Sequence, residues 1–142
     1  MLHRIAVVYL TKDNGQILIQ QRMSGRLDHS SAGHVDPGET YRQAAIRELQ
    51  EELGITGELT ELGKTISDEI EPEAKRQQIR HLFTVFECRG NPGTLAKGEV
   101  KNVWWADPKK TYEEMKRDPH NQKYCGGFKA TLRMYLEKKN LK

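Results

Sequence analysis

The 142-residue chain carries 23 Lys and Arg against 20 Asp and Glu, a net charge of +3, and its length suits a single domain over residues 1–142 with a core that needs no cross-links. Part of the basic excess sits in the tail EKKNLK and no basic cluster with interleaved aromatics is present, so no nucleic-acid partner is expected. No apolar run reaches the length of a membrane span, the start MLHRIAVVYLTKD lacks a basic leader and a cleavage site, and Cys88 and Cys125 follow no metal or redox spacing. The expectation is a soluble, untargeted, cytoplasmic protein with no membrane partner and two reduced thiols, neither of them functional.

Arg4 to Leu10 is mostly apolar and β-branched, Asp13 to Gly15 spells the tight-turn signal DNG, and QILIQQR follows with alternation, which together predict a β-hairpin. The polar stretch MSGRLDHSS reads as a loop, GHV as a short strand and DPGET as a turn into a helix. That helix is expected from about Tyr41 to Leu53, because Thr40 and Gln43 have capping-box spacing and Gly54 stands where a glycine ends a helix. Beyond it come a strand near Glu58 to Ile66, an acidic loop SDEIEPEAK, a strand IRHLFTVFEC, the turn GNPG and a strand VKNVWWA. Asp107 before Pro108 marks a short helix, CGGF from Cys125 to Phe128 a turn, and Phe128 to Lys138 a helix with Phe128, Leu132, Tyr135 and Leu136 on one side. No repeat or linker divides the chain, so the fold class is α+β, one central helix framed by strands.

The central helix has two sectors with different duties. At roughly 100° per residue, Ala45, Ile46, Leu49 and Leu53 share one and are expected to pack, while Glu48, Glu51 and Glu52 share another. Three carboxylates in one patch repel unless solvated or bridged by a cation, and hard oxygen ligands suit a magnesium ion that keeps waters and shares substrate phosphates. A bare ExxEE is more often a solvated helix face, so the surrounding residues decide.

Those residues, Gly33 to Ile55 (GHVDPGETYRQAAIRELQEELGI), resemble the Nudix box. Gly33, Glu39, Arg47, Glu48, Leu49, Glu51, Glu52, Gly54 and Ile55 meet every requirement, a coincidence on the order of one in a billion per start site. The resemblance implies a Nudix αβα sandwich with a mixed central sheet and a loop-helix-loop catalytic element. It also implies a pyrophosphohydrolase dependent on magnesium, or on manganese in its place, in which water attacks phosphorus in a nucleoside diphosphate derivative or related small molecule. Glu48, Glu51 and Glu52 are then the metal ligands, with the backbone carbonyl of Ala32 completing the site, and Glu51, Glu52 and Arg47 carry catalysis. Gly33, Glu39 and Gly54 are structural positions of the box, Glu39 pairing with Arg47 so that the latter orients a ligand carboxylate. The general base is a box glutamate or one on a later loop, for which Glu69, Glu71, Glu73 and Glu99 are candidates. Family members often pair, which makes a homodimer one expected form.

The sequence departs from the common pattern at His34, where many Nudix enzymes have a second glycine. SAGHVDPGE, with His3 ahead of the first strand, is closer to a subset resembling isopentenyl-diphosphate isomerase. There, histidines matching His3 and His34 help bind a metal, and a cysteine just before the GH pair does acid-base chemistry. Ala32 occupies that cysteine position and cannot transfer a proton, so hydrolysis is expected over isomerisation, with a non-catalytic binding module as the third alternative. Arg22, Arg26 and His34 are the candidate substrate contacts, the arginines because both flank the approach to the box. Adjacent Trp104 and Trp105 must face opposite sides of their strand, one in the core and one available to stack on a base.

Overall fold

In the computed structural model, which describes residues 2–67, 80–118 and 123–140, strand β1 (Leu2–Thr11) runs through the middle of a mixed sheet. Its apolar residues are consecutive rather than alternate, the pattern of a strand covered on both faces, and Ala6 to Leu10 are each at most 1% exposed. β6 (Arg80–Arg89) lies parallel to β1 in unbroken register, from Leu2 opposite Arg80 to Thr11 opposite Arg89, and β5 (Thr60–Ser67) runs antiparallel along its outer side. Across β1, β4 (Ser31–His34) pairs antiparallel from Ile5 to Val8. β2 (Ile17–Arg22) carries β3 (Leu27–Asp28) and β7 (Val100–Ala106), both antiparallel to it.

The expected hairpin is reduced to a turn and one residue pair, Thr11 with Ile17. Past it a side chain replaces the backbone ladder: the Ser30 hydroxyl accepts from the Leu10 amide at 2.9 Å and donates to the Leu18 carbonyl at 2.6 Å. The two strands diverge around it. This makes the supposed loop MSGRLDHSS something different from a solvated connection, because Leu27 to Ser31 are all buried.

Helix α1 (Tyr41–Leu53) has the expected bounds, with the capping box formed in both directions by Thr40 and Gln43. Gly54 ends it at φ 67°, and a Cβ there would stand 2.5 Å from the Thr94 carbonyl oxygen; glycine is required by both conformation and space. α2 (Pro108–Lys116) starts at the Asp107 cap, and α3 (Phe128–Lys138) follows. Alternation along β1 sorts the core into two layers. Ile5, Val7 and Tyr9 meet Met115 of α2 and Phe128, Leu132, Tyr135 and Leu136 of α3, whereas Ala6, Val8 and Leu10 meet Ala44, Ala45, Leu49 and Leu53 of α1. The result is the αβα sandwich. Ile46, expected to pack, is 40% exposed, and Ala44 takes its place in the core. Among the described residues no helix is long and apolar enough to cross a membrane.

Candidate functional site

The turn from β4 into α1 brings Gly33 and Glu48 face to face. A Cβ on Gly33 would lie 2.3 Å from the Glu48 carboxyl carbon, so any side chain at position 33 would occupy the place of that carboxylate. The glycine is a clearance for a charged group laid across a strand.

Arg47 ties the element together. Its guanidinium grips both Glu39 oxygens at 2.8 and 3.0 Å, donates to Glu48 Oε1 at 2.7 Å and to the His34 carbonyl at 3.1 Å, and stands 3.4 Å from both Glu51 Oε2 and Asp36 Oδ2. The Arg47 hydrogen bonds, followed by one from the Asp36 amide, hold the Glu39 carboxyl down to about 2, and Glu39 in turn raises the pKa of Arg47. A fork-to-fork pair of this geometry fixes direction as well as charge. Its freedom removed, Arg47 presents one Nη to Glu48 and so fixes the orientation of that carboxylate.

Glu52 lies deeper. It is 7% exposed, accepts from Gln20 Nε2 at 2.8 Å and shares a hydrogen bond with Glu48. Burial foremost, and then the neighbouring Glu48, push its carboxyl up to about 9, against the opposing pull of Gln20. Two carboxyl groups this close cannot both stay charged without a proton or a cation between them. The pair lies on the wall of a cavity of about 750 Å³, within the size range of small-molecule sites. All-oxygen donors and mutual repulsion fit a hard divalent ion. As the side chains stand, no three His, Cys, Asp or Glu groups among the described residues are gathered to hold one. Glu51 is exposed beside Arg47, and neither of those two lines the cavity. The three carboxylates of the helix thus occupy three environments, where the sequence suggested one uniform patch.

The rest of the lining includes residues of the β2–β4 region. Arg22, Arg26, His34 and Ala32 all line the cavity, as does Glu99, which is exposed. Glu69, Glu71 and Glu73 lie outside the described residues. Arg22 Nη1 pairs with Asp28 Oδ2 at 3.0 Å, while an Arg26 Nη donates to the Tyr124 carbonyl and binds the loop to the chain ahead of α3. His34 Nε2 stands 3.4 Å from His3 Nδ1, and the His3 ring also meets His81 with centroids 5.5 Å apart. Trp105 packs toward α1 with Lys12 over its ring and Trp104 faces the other side; neither lines the cavity. Sequence reasoning missed Gln20, Asp28, His29, His81 and Cys125, all cavity-lining. For Asp28 and His29 the available signal was a run of polar residues, DHSS, between apolar segments.

The NUDIX domain family model matches residues 1–125, and the chain belongs to this family. A curated relative from Rhodococcus erythropolis, the uncharacterized Nudix hydrolase orf19, is 36% identical over 117 residues, covering 72% of this chain and 61% of its own. The isopentenyl-diphosphate Delta-isomerase of Serratia proteamaculans (strain 568) is 28% identical over 127 residues, covering 84% of this chain and 69% of its own. This chain therefore spans 61% of the length of the first of these relatives. The crystal structure of DR0079 from Deinococcus radiodurans has the same fold, with a TM-score of 0.72 at 21% identity over 92% of this chain and 81% of that one. Nudix hydrolases generally use divalent metal ions and act on small-molecule diphosphates.

Proposed function

We propose that residues 1–142 act as a Nudix hydrolase domain that cleaves the diphosphate linkage of a nucleoside diphosphate derivative or related small molecule. The observation that carries this reading is the Glu48–Glu52 carboxyl pair in a cavity that Arg22 also lines. Negative charge that calls for a cation, and a cationic group in the same cavity, are what a magnesium diphosphate needs. Glu48, Glu51 and Glu52, with the carbonyl of Ala32, would hold magnesium, or manganese in its place. When bound, such an ion neutralises phosphate charge and makes water a better nucleophile at neutral pH.

The chain's own groups do the rest. Arg47 keeps Glu48 aimed at the cavity, Gln20 does the same for Glu52, and Arg22, Arg26 and His34 bind phosphate oxygens. A carboxylate takes the proton of the attacking water as the new P–O bond forms and the bridging P–O bond breaks. One water is consumed and two phosphorylated or phosphate-bearing products leave. Glu52 is one candidate for that base and Glu99, a later-loop glutamate that lines the cavity, is another.

A panel of nucleotide sugars, ADP-ribose, coenzyme A, dinucleoside polyphosphates and nucleoside triphosphates, incubated with magnesium and scored for products, tests the reading. Cleavage of a diphosphate linkage in at least one compound is expected. Interconversion of isopentenyl and dimethylallyl diphosphate at catalytic rates would overturn it, because Ala32 offers no proton where the isomerase chemistry needs a thiol.

A further inference from the structure

One cavity residue is fastened far more elaborately than an exposed side chain requires. The Arg22 side chain is 53% exposed, yet its partner Asp28 is buried and has both oxygens committed. Oδ2 takes Arg22 Nη1, and Oδ1 takes the backbone N–H of His29 at 2.8 Å and its ring Nδ1 at 2.7 Å. The other ring nitrogen, Nε2, is 2.6 Å from the Thr131 hydroxyl, which also bonds the Tyr9 hydroxyl at 2.8 Å and the Phe128 carbonyl at 3.0 Å. The His29 ring lies against Phe128, centroids 4.6 Å apart. His29, Thr131 and Tyr9 are at most 2% exposed. Burial works against the charge of Asp28, and His29 and Arg22 outweigh it.

Placing four polar side chains in the interior costs free energy that an apolar filling of the same volume would avoid. An arginine half in water adds little stability through its ion pair. What the chain of hydrogen bonds does supply is direction. With Oδ1 fastened twice, the two χ angles of Asp28 have no freedom left, so Oδ2 fixes one corner of a guanidinium that would otherwise sweep through solvent. The remaining N–H donors of Arg22 are then available to an oxyanion in the cavity.

We infer that His29 is a positioning residue which, through Asp28, sets the approach of Arg22 to a substrate phosphate in the cavity it shares with the Glu48–Glu52 pair, with Thr131 of α3 as the anchor. This rests on reading the cavity as a diphosphate site. Orientation of a phosphate-binding group acts on substrate capture, so its loss raises KM and leaves the chemical step nearly untouched.

The test is a set of double-mutant cycles. Thr131→Val removes the hydroxyl and keeps the shape, Thr131→Ser restores it, and Asp28→Asn removes the charge, each made in the wild-type and Arg22→Ala backgrounds. Affinity for methylenediphosphonate with magnesium is measured by calorimetry, and KM and kcat for any panel compound that is cleaved. Thr131→Val and Asp28→Asn should each weaken binding and raise KM about tenfold with kcat changed less than about twofold, the serine should recover the wild-type values, and neither change should add to Arg22→Ala. Equal effects in both backgrounds, or unchanged affinity, would overturn the inference, as would a wild type that binds no diphosphonate. If the wild type binds diphosphonate and the cycles behave as expected but no compound is cleaved, the hydrolase reading falls and the positioning role stands. Should Thr131→Val fail to fold, the Asp28→Asn cycle decides alone.

Discussion

Replacing Glu52 by Gln should leave the metal-free protein more stable at neutral pH and nearly inactive. The folded-state pKa is raised, from 4.5 to about 9, so the folded chain keeps a proton that the unfolded chain has released. Stability is therefore full below pH 4.5 and is lost as pH rises toward about 9. At pH 7 the folded carboxyl is still protonated, and the cost is set by the interval from 4.5 to 7: about 3 kcal/mol at roughly 1.4 kcal/mol per pH unit, a ceiling because the proton is shared with Glu48. Glutamine has the shape of the protonated acid, one atom accepting from Gln20 and one donating toward Glu48, and it does not titrate. Glu52→Gln should raise the melting temperature at pH 7 by up to about 10 °C and converge with the wild type near pH 5. The assay is thermal unfolding in chelator from pH 5 to 8.5 for wild type, Glu52→Gln and Glu58→Gln as a control. Turnover across a magnesium titration should fall about 100-fold in Glu52→Gln alone. Parallel pH curves for wild type and Glu52→Gln would refute the buried-pair argument.

Gly33→Ala puts a methyl group on the Glu48 carboxyl; it should cost about 1–3 kcal/mol by overpacking and blunt the response to magnesium, both read from melting curves across a magnesium titration. The Glu39 contribution is fully present above pH 4.5 and is lost only as pH falls through about 2, so Glu39→Gln should weaken the magnesium response without altering the pH–rate profile above pH 5. Arg47→Lys should do likewise, since an ammonium cannot reproduce the two-point grip on Glu39. Cys125 lines the cavity whereas Cys88 is buried on the α1 side; Cys125→Ser should stay active, and iodoacetamide should inhibit the wild type but spare Cys125→Ser in a timed activity assay.

The helix and its carboxylates were legible in the sequence because everything that defines them is local. Thr40, Gln43 and Gly54 set the ends of α1, and box spacing puts Glu39, Arg47 and Glu48 in reach of one another within a few turns. The rest of the lining had no such signature. Tyr9 and Thr131 meet across 122 positions of chain, and His29 and Thr131 across 102, so a histidine in a polar run carried no mark of being a core residue. The hairpin formed, but its ladder is shorter than expected for a related reason: a tight-turn signal specifies the reversal, while the Ser30 hydroxyl bridges the two strands beyond it and β4 pairs with β1. Ile46 satisfied the helical period but lies at the margin of the buried arc, which runs from Ala44 through Ala45 and Leu49 to Leu53, and so is exposed.

The parallel union of β1 with β6 bears on how the chain is made. β1 emerges from the ribosome well before the strand that will lie along it from Leu2 to Thr11, and parallel pairing over such a separation carries the full entropy of closing the intervening loop. During that interval the segment IAVVYL is an apolar, uncharged, β-branched stretch of the kind that joins other chains edge to edge. Holding translation between residues 67 and 80 should therefore yield aggregates or chaperone-bound nascent chains, and release past Arg89 should yield a protease-resistant domain.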